Sequence, residues 1–205
     1  MSDDSSPAPS SARVLQHRRV HAGKVLDLDV DEVLEPGGVR GSREVVRQRG
    51  SVAALPVLAD GRVVLVRQYR YAVDALVWEL PAGRRDPGET FLEGVRRELE
   101  EEVGLRASAL ESLLVFWTTP GFCDEVMHLF RATGLEPVPA RPEADEKIEI
   151  GTFTLEEALQ MVKRGEICEG KTLVALLLEA HRGGLGGRGA PPPDHESPVE
   201  AGKPR

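Results

Sequence analysis

Residues 79–105, ELPAGRRDPGETFLEGVRRELEEEVGL, decide the fold. Thr90 followed three residues later by Glu93 has the form of a capping box, in which hydroxyl and carboxylate satisfy backbone N–H groups at a helix start. Phe91, Val95 and Leu99 recur every four residues and form one apolar stripe. Gly104 stands where a left-handed helix stop is expected. The spacing predicts a helix over 90–103. Glu98, Glu101 and Glu102, at i, i+3 and i+4, share one face of it, and like charges so close repel unless they meet water or a cation. Mg²⁺ takes hard oxygen ligands and keeps several waters. The trio, with the Ala82 carbonyl in the preceding Pro-Ala-Gly turn, supplies such ligands. A solvated acidic face explains the same three residues taken alone. Gly94, inside the helix, costs ~1 kcal/mol relative to Ala; it is expected to permit close packing or to leave room beside the acidic face.

Outward from this helix, both flanks read as strands. Upstream, residues 24–34 alternate Leu26, Leu28 and Val30 with Asp27, Asp29 and Asp31, the pattern of a half-buried strand. Val45 and Val46 mark a short strand. SVAALPVL at 51–58 and RVVLVRQY at 62–69 are β-rich runs joined through Asp60-Gly61, a hairpin signal. VWEL at 77–80 is a further short strand. Downstream, strands are expected near 112–117, 126–132 and 148–153. A second capping box, Thr154 with Glu157, opens a helix to about Lys163, and a last helix covers roughly 171–181 with Leu173, Leu176, Leu177 and Ala180. The expected fold class is α/β: a mixed sheet between helices in an α/β/α sandwich, with an N-terminal antiparallel β-segment.

Four segments follow: a disordered arm at 1–11, the N-terminal β-segment at 12–50, the main domain at 51–182 and a Gly/Pro-rich disordered tail at 183–205. Only 4% of the 205 residues are aromatic, so the core must be built mostly from Val, Leu and Ala. The formal net charge of −8 argues against nucleic-acid or anionic-membrane partners. An acidic protein still binds a polyanionic small molecule when a cation lies between them. Two cysteines, Cys123 and Cys168, make neither a disulfide framework nor a Cys-x-x-Cys pair, so a reducing cytoplasm is expected. No apolar run reaches transmembrane length. The histidines lack ligand spacing, and no Ser-His-Asp set or phosphate-cradling glycine loop is visible.

Gly83, Glu89, Arg97-Glu98-Leu99, Glu101-Glu102 and Gly104-Leu105 fall in the spacing G-x5-E-x7-R-E-U-x-E-E-x-G-U, where U is aliphatic. This resembles the Nudix box at every specified position. The resemblance implies a metal site held by a loop–helix–loop, with Glu98, Glu101, Glu102 and the Ala82 carbonyl as ligands of Mg²⁺, or Mn²⁺ as a substitute. It implies that Arg97 holds a box glutamate by an ion pair, that Glu89 supports the same network, and that Gly83 and Gly104 serve backbone geometry.

Three further segments resemble the ADP-ribose pyrophosphatase-like branch. WTTPGFCDE, running into VMHLF, is similar to that branch's Pro-Gly-Phe-Ser-Asp-Glu pattern, with Cys123 where Ser is usual. It implies substrate contacts from Pro120, Phe122 and Glu125; a rigid turn is the plainer reading of Pro120-Gly121, and a small buried residue that of Cys123. Val66-Arg67-Gln68-Tyr69-Arg70, followed by WELPAG at 78–83, resembles the strand whose arginine reaches the diphosphate or a ribose, which implicates Arg70 and Arg67. The acidic stretch 143–149 is similar to a loop supplying a late-arriving glutamate; Glu146 fits that place, and Glu101 is the alternative base within the box. Residues 12–50 hold no Trp, Tyr or Phe to stack on a base, which leaves Tyr69, Tyr71, Trp78, Trp117 and Phe122. The implied activity is hydrolysis of ADP-ribose to AMP and ribose 5-phosphate by a cytoplasmic homodimer. GDP-mannose or another nucleoside diphosphate sugar is the alternative substrate, and a non-catalytic ADP-ribose-binding regulator the alternative class.

Overall fold

The computed structural model describes residues 11–141 and 147–184. The expected disorder at 1–11 and 183–205 therefore lies outside the described residues except at Ser11 and at Gly183 and Gly184, and the last two belong to a helix rather than to a disordered tail. The chain divides into two compact units: 1–48 with 117–125, and 49–116 with 126–205.

The first unit contains a three-stranded antiparallel sheet of β1 (Arg13–Ala22), β2 (Asp27–Leu34) and β3 (Arg40–Arg47), in that order. The sequence reading expects an antiparallel β-segment over 12–50 but marks no individual strand at β1. All ten of its residues are exposed, so no apolar alternation announces it. Cross-strand charge holds it instead: Arg19 faces Asp29 and His17 faces Asp31. Arg19 Nε donates to Asp29 Oδ1 at 2.5 Å and His17 Nδ1 lies 2.7 Å from Asp31 Oδ1. In β2 the aspartate side proves to be the buried one. Asp29 and Asp31 are 1% and 3% exposed, while Leu28 and Val30 are half-buried. Arg47 makes this tenable by donating to Asp29 and Asp31, both at 3.1 Å. The hydrogen bond from Arg19 holds the Asp29 carboxyl below its usual range, against the opposing effect of burial.

The second unit is mixed α/β. One sheet has the order β7 (Ala82–Arg84), β4 (Ser51–Pro56), β9 (Val126–Pro137), β8 (Leu105–Trp117), and β4 runs parallel to β9. The other has the order β10 (Glu149–Phe153), β5 (Val63–Arg70), β6 (Ala75–Glu79), all antiparallel. The helices are α1 (Phe91–Val103), α2 (Leu155–Lys163) and α3 (Gly170–Gly184). Strand β4 is buried on both faces and feeds two cores. Ala53 and Leu55 join Leu65, Leu129, Met161 and Leu176, on the side of α2 and α3. Val52 and Ala54 join Val64, Val66, Val95 and Leu99, on the side of α1. Helices on both sides of sheet make the layered α/β/α plan, and the largest fully buried side chains are Leu, Ile, Val and one Glu, with no aromatic among them.

The Asp60-Gly61 hairpin is only a turn. Leu58 and Gly61 close it, with Gly61 at φ 85°. A single bridge joins Val57 to Val63 before the strands part into different sheets. The cause is mainly long-range: the Val57 N–H is given to Ala132 of β9 at 2.8 Å, and Pro56 has no N–H to give. On α3, Leu176 is buried and Leu173 packs on the core, whereas Leu177 is 59% exposed.

Candidate active site

Helix α1 starts and stops as its sequence dictates. Thr90 accepts from the Glu93 N–H, Glu93 returns the bond to the Thr90 backbone, and Gly104 caps the end at φ 62°. A side chain at Gly104 would lie 2.7 Å from the Val138 carbonyl oxygen, so both conformation and space demand glycine there. Val95 and Leu99 bury the apolar stripe. The same face also carries Glu98 and Glu102, 9% and 3% exposed. Carboxylates are rarely that buried unless they are partnered.

The turn before the helix supplies partners. The Ala82 N–H donates to Glu102 Oε2 at 3.0 Å. At Gly83, an added Cβ would fall 1.8 Å from Glu98 Oε1; bare backbone is what lets the Glu98 carboxylate lie there. Arg97 joins the remaining acids. Its Nη1 donates to Glu98 at 2.7 Å and to Glu101 at 3.0 Å, and its Nε and Nη2 hold Glu89 at 3.0 and 3.2 Å. Nη2 also reaches the Arg84 carbonyl at 3.1 Å. The Glu89 hydrogen bond, followed by Glu98 and Glu101, binds the Arg97 proton still more tightly than usual against the effect of burial. In return Arg97 holds the Glu89 carboxyl below its usual range. Gly94 leaves room for Glu89, since a Cβ there would lie 3.1 Å from its Oε2.

Three carboxylates, those of Glu89, Glu98 and Glu101, thus surround one guanidinium. The donor chemistry fits a hard divalent cation: carboxylate oxygens from one helical face beside a turn whose missing side chain makes a carboxylate cradle. Among the described residues, no three His, Cys, Asp or Glu side chains are grouped closely enough to hold a metal ion as they stand. Glu98 and Glu101 share Arg97, and Glu102 is held by the Ala82 N–H. Arg97 and Glu101 line a groove of about 550 Å³, so this corner of the cluster is open.

Arg70, at the end of β5, makes a two-point ion pair with Glu79, at 2.6 and 2.9 Å. Arg67 lies 5.8 Å from the Trp78 ring centroid and 3.6 Å from Glu149. Pro120, Phe122 and Glu125 belong to the other compact unit. There, Phe122 and Cys123 both donate backbone N–H to the Thr119 carbonyl. Phe122 is 57% exposed, Thr118 donates to Glu125 at 2.8 Å, and burial pushes the Cys123 thiol up. Of the other aromatics considered for the base, Tyr71 is the most exposed, and Trp78 packs edge-on against Phe153 at 5.1 Å. Glu143, Asp145 and Glu146 lie outside the described residues.

Sequence reasoning missed a second charged group in the same unit, formed by Glu79, Lys171 and Glu169 with Thr172 hydrogen-bonded to it. Lys171 Nζ reaches Glu79 at 2.9 Å and Glu169 at 3.2 Å. The signal was present, because Glu79 interrupts the apolar strand VWEL.

The NUDIX domain family matches residues 47–174. The chain is 37% identical over 166 residues to an ADP-ribose pyrophosphatase of Bacillus subtilis (strain 168), covering 80% of this chain and 90% of that one. It is 40% identical over 162 residues to an ADP-ribose pyrophosphatase of Mycobacterium tuberculosis (strain ATCC 25618 / H37Rv), covering 77% and 78%. A crystal structure of an ADP compounds hydrolase superposes with a TM-score of 0.75 at 23% identity, over 87% of this chain and 98% of that one, which shows a shared fold. A matched domain spanning the box helix and both sheets, and relatives aligned over most of their length, lead to one conclusion: the chain belongs to the Nudix family.

Proposed function

We propose that this protein is a divalent-cation-dependent hydrolase of nucleoside diphosphate sugars, with ADP-ribose as substrate and AMP and ribose 5-phosphate as products. One observation carries the proposal: the complete box is folded with Glu98 against the bare backbone of Gly83 and Glu102 on the Ala82 N–H. The named activities of the two pyrophosphatase relatives point the same way.

Glu98, Glu101, Glu102 and the Ala82 carbonyl would hold the cation, Mg²⁺ or Mn²⁺. Bound there, a divalent cation offsets diphosphate charge and lowers the pKa of water. The chain's own groups do the rest. Arg97 orients Glu98 and Glu101. Arg70 offers its guanidinium to diphosphate oxygens, a pairing that suits its planar fork, and Arg67 flanks it. The likeness of 117–125 to the branch's motif supports a substrate role for Pro120, Phe122 and Glu125. Glu146 takes the proton from the attacking water, with Glu101 as the alternative base. Water adds to one phosphorus as its bond to the bridging oxygen breaks.

We also infer a homodimer in the cytoplasm. Strand β1 supports the first, being exposed along its whole length with Val14, Leu15 and Val20 open to solvent; such an edge invites pairing. The free cysteines Cys123 and Cys168 support the second. No described helix is long and apolar enough to cross a membrane. The functional test is product analysis after incubation with ADP-ribose and Mg²⁺ in ¹⁸O-labelled water, beside GDP-mannose at equal concentration. AMP and ribose 5-phosphate, one of them labelled, are expected. Binding without turnover would leave only the regulator reading.

A further inference from the structure

Behind the turn that carries Ala82 and Gly83 lies a compact ionic network. Glu79, the last residue of β6, is 1% exposed. Its Oε1 accepts from Arg70 Nε at 2.6 Å, and its Oε2 accepts from Arg70 Nη2 and from Lys171 Nζ, both at 2.9 Å. Lys171 also pairs with Glu169, which accepts the backbone N–H groups of Lys171 and Thr172 and the Thr172 hydroxyl. The Thr172 oxygen in turn accepts the Leu80 N–H at 2.9 Å. The first turn of α3 is therefore tied to the residue next to Glu79, two positions before Ala82.

A guanidinium has two hydrogen-bonding edges. Glu79 takes the Nε–Nη2 edge, so the Nη1–Nη2 edge faces away from it. Exposure follows the same division, with the Arg70 side chain 44% exposed and that of Glu79 1%. The field of Glu102 also acts on the Arg70 guanidinium, which places it within electrostatic reach of the box. Burying such a network is poor value for stability alone, because desolvation cancels much of the attraction. It does restrict a long side chain to one orientation before a ligand arrives, and that lowers the entropic cost of binding.

We propose that Glu79 is a positioning residue, which holds Arg70 by one edge so that the other edge is presented to the substrate diphosphate, with Lys171 and Glu169 holding Glu79 in place. This rests on the reading that Arg70 grips the diphosphate. The test is a double-mutant cycle of Glu79→Gln and Arg70→Ala, scored as kcat and KM for ADP-ribose at saturating Mg²⁺, with thermal melts of every variant. Each single change should lower kcat/KM by about tenfold or more, chiefly through KM. In the Arg70→Ala background, Glu79→Gln should cost less than about twofold, since the side chain it orients is gone. An equal loss in both backgrounds overturns the proposal. Parental kcat/KM in Arg70→Ala alone overturns the diphosphate role itself, a distinguishable result. Should Glu79→Gln fail to fold, Arg70→Lys decides: lysine keeps the charge but has no second edge. Activity within about threefold of Arg70→Ala supports the proposal, and recovery to the parental level overturns it.

Discussion

Gly83→Ala should separate activity from stability. Gly83 does not have a positive φ, so alanine adopts its backbone without strain and the only obstacle is space. The new methyl would lie 1.8 Å from Glu98 Oε1 and 2.2 Å from Glu98 Cδ. Ordinary contact begins at 3.4 Å, so the carboxylate must retreat by about 1.6 Å. It can do so cheaply, because it ends a flexible side chain. The loss is chiefly its part-buried bond to Arg97, worth about 1 kcal/mol, or a fall in Tm of about 2–4 °C. A displaced metal ligand costs far more in rate: about 1 Å of misplacement is worth roughly a hundredfold. The expected outcome is kcat for ADP-ribose reduced about a hundredfold with a weaker Mg²⁺ dependence, and a melt close to the parental one. Steady-state kinetics across a Mg²⁺ titration, with calorimetry on the same samples, checks both halves. A kcat within about twofold of parental at every Mg²⁺ concentration would falsify the assignment of Glu98 to the metal site.

Other outcomes follow from charge and exposure. Arg97→Gln should lower kcat at least about tenfold and flatten the acid limb of stability. Glu89, depressed by Arg97, contributes stability that is present above its unfolded pKa and lost as pH falls through its folded one; urea midpoints below about pH 5 should therefore fall less steeply in the variant. His128, pushed down to about 4 by burial and by Arg85, stays neutral in the fold while the unfolded chain takes up a proton. Stability should decline as pH falls from about 6.5 towards 4, and His128→Gln should remove that slope in a urea titration. Leu15→Lys on the exposed edge β1 should shift the mass measured by light scattering from twice the chain mass to once; an unchanged dimer would place the interface elsewhere.

Legibility followed locality. The caps of α1 and α2, the buried stripe and the box were readable because each depends on residues within one or two turns. Strand β1 was not, because RVLQHRRVHA shows no alternation and is held by aspartates on the next strand. The buried side of β2 was misread for the same reason: Asp29 and Asp31 look like solvent-facing residues until Arg47, from another strand, is placed beside them. The parting of β4 from β5 turned on an N–H given to a strand 75 residues later, at Ala132. In the site, Arg97 meets Glu101 by the i,i+4 geometry of the helix, whereas Glu89 reaches Arg97 from the preceding loop and was legible only through the box spacing. The hold of Lys171 on Glu79 spans 92 residues and left only one trace, a carboxylate in an apolar strand.

The N-terminal sheet is held largely by charge, and this sets its tolerance of solution conditions. Where the second unit excludes water with leucine and valine, β1 and β2 are joined by arginine, histidine and aspartate. Added electrolyte weakens the exposed members of such a set while strengthening apolar burial. Concentrated salt should therefore loosen the ion pairs between β1 and β2 while tightening the leucine-lined layers, so that a storage buffer chosen for one half of the molecule works against the other.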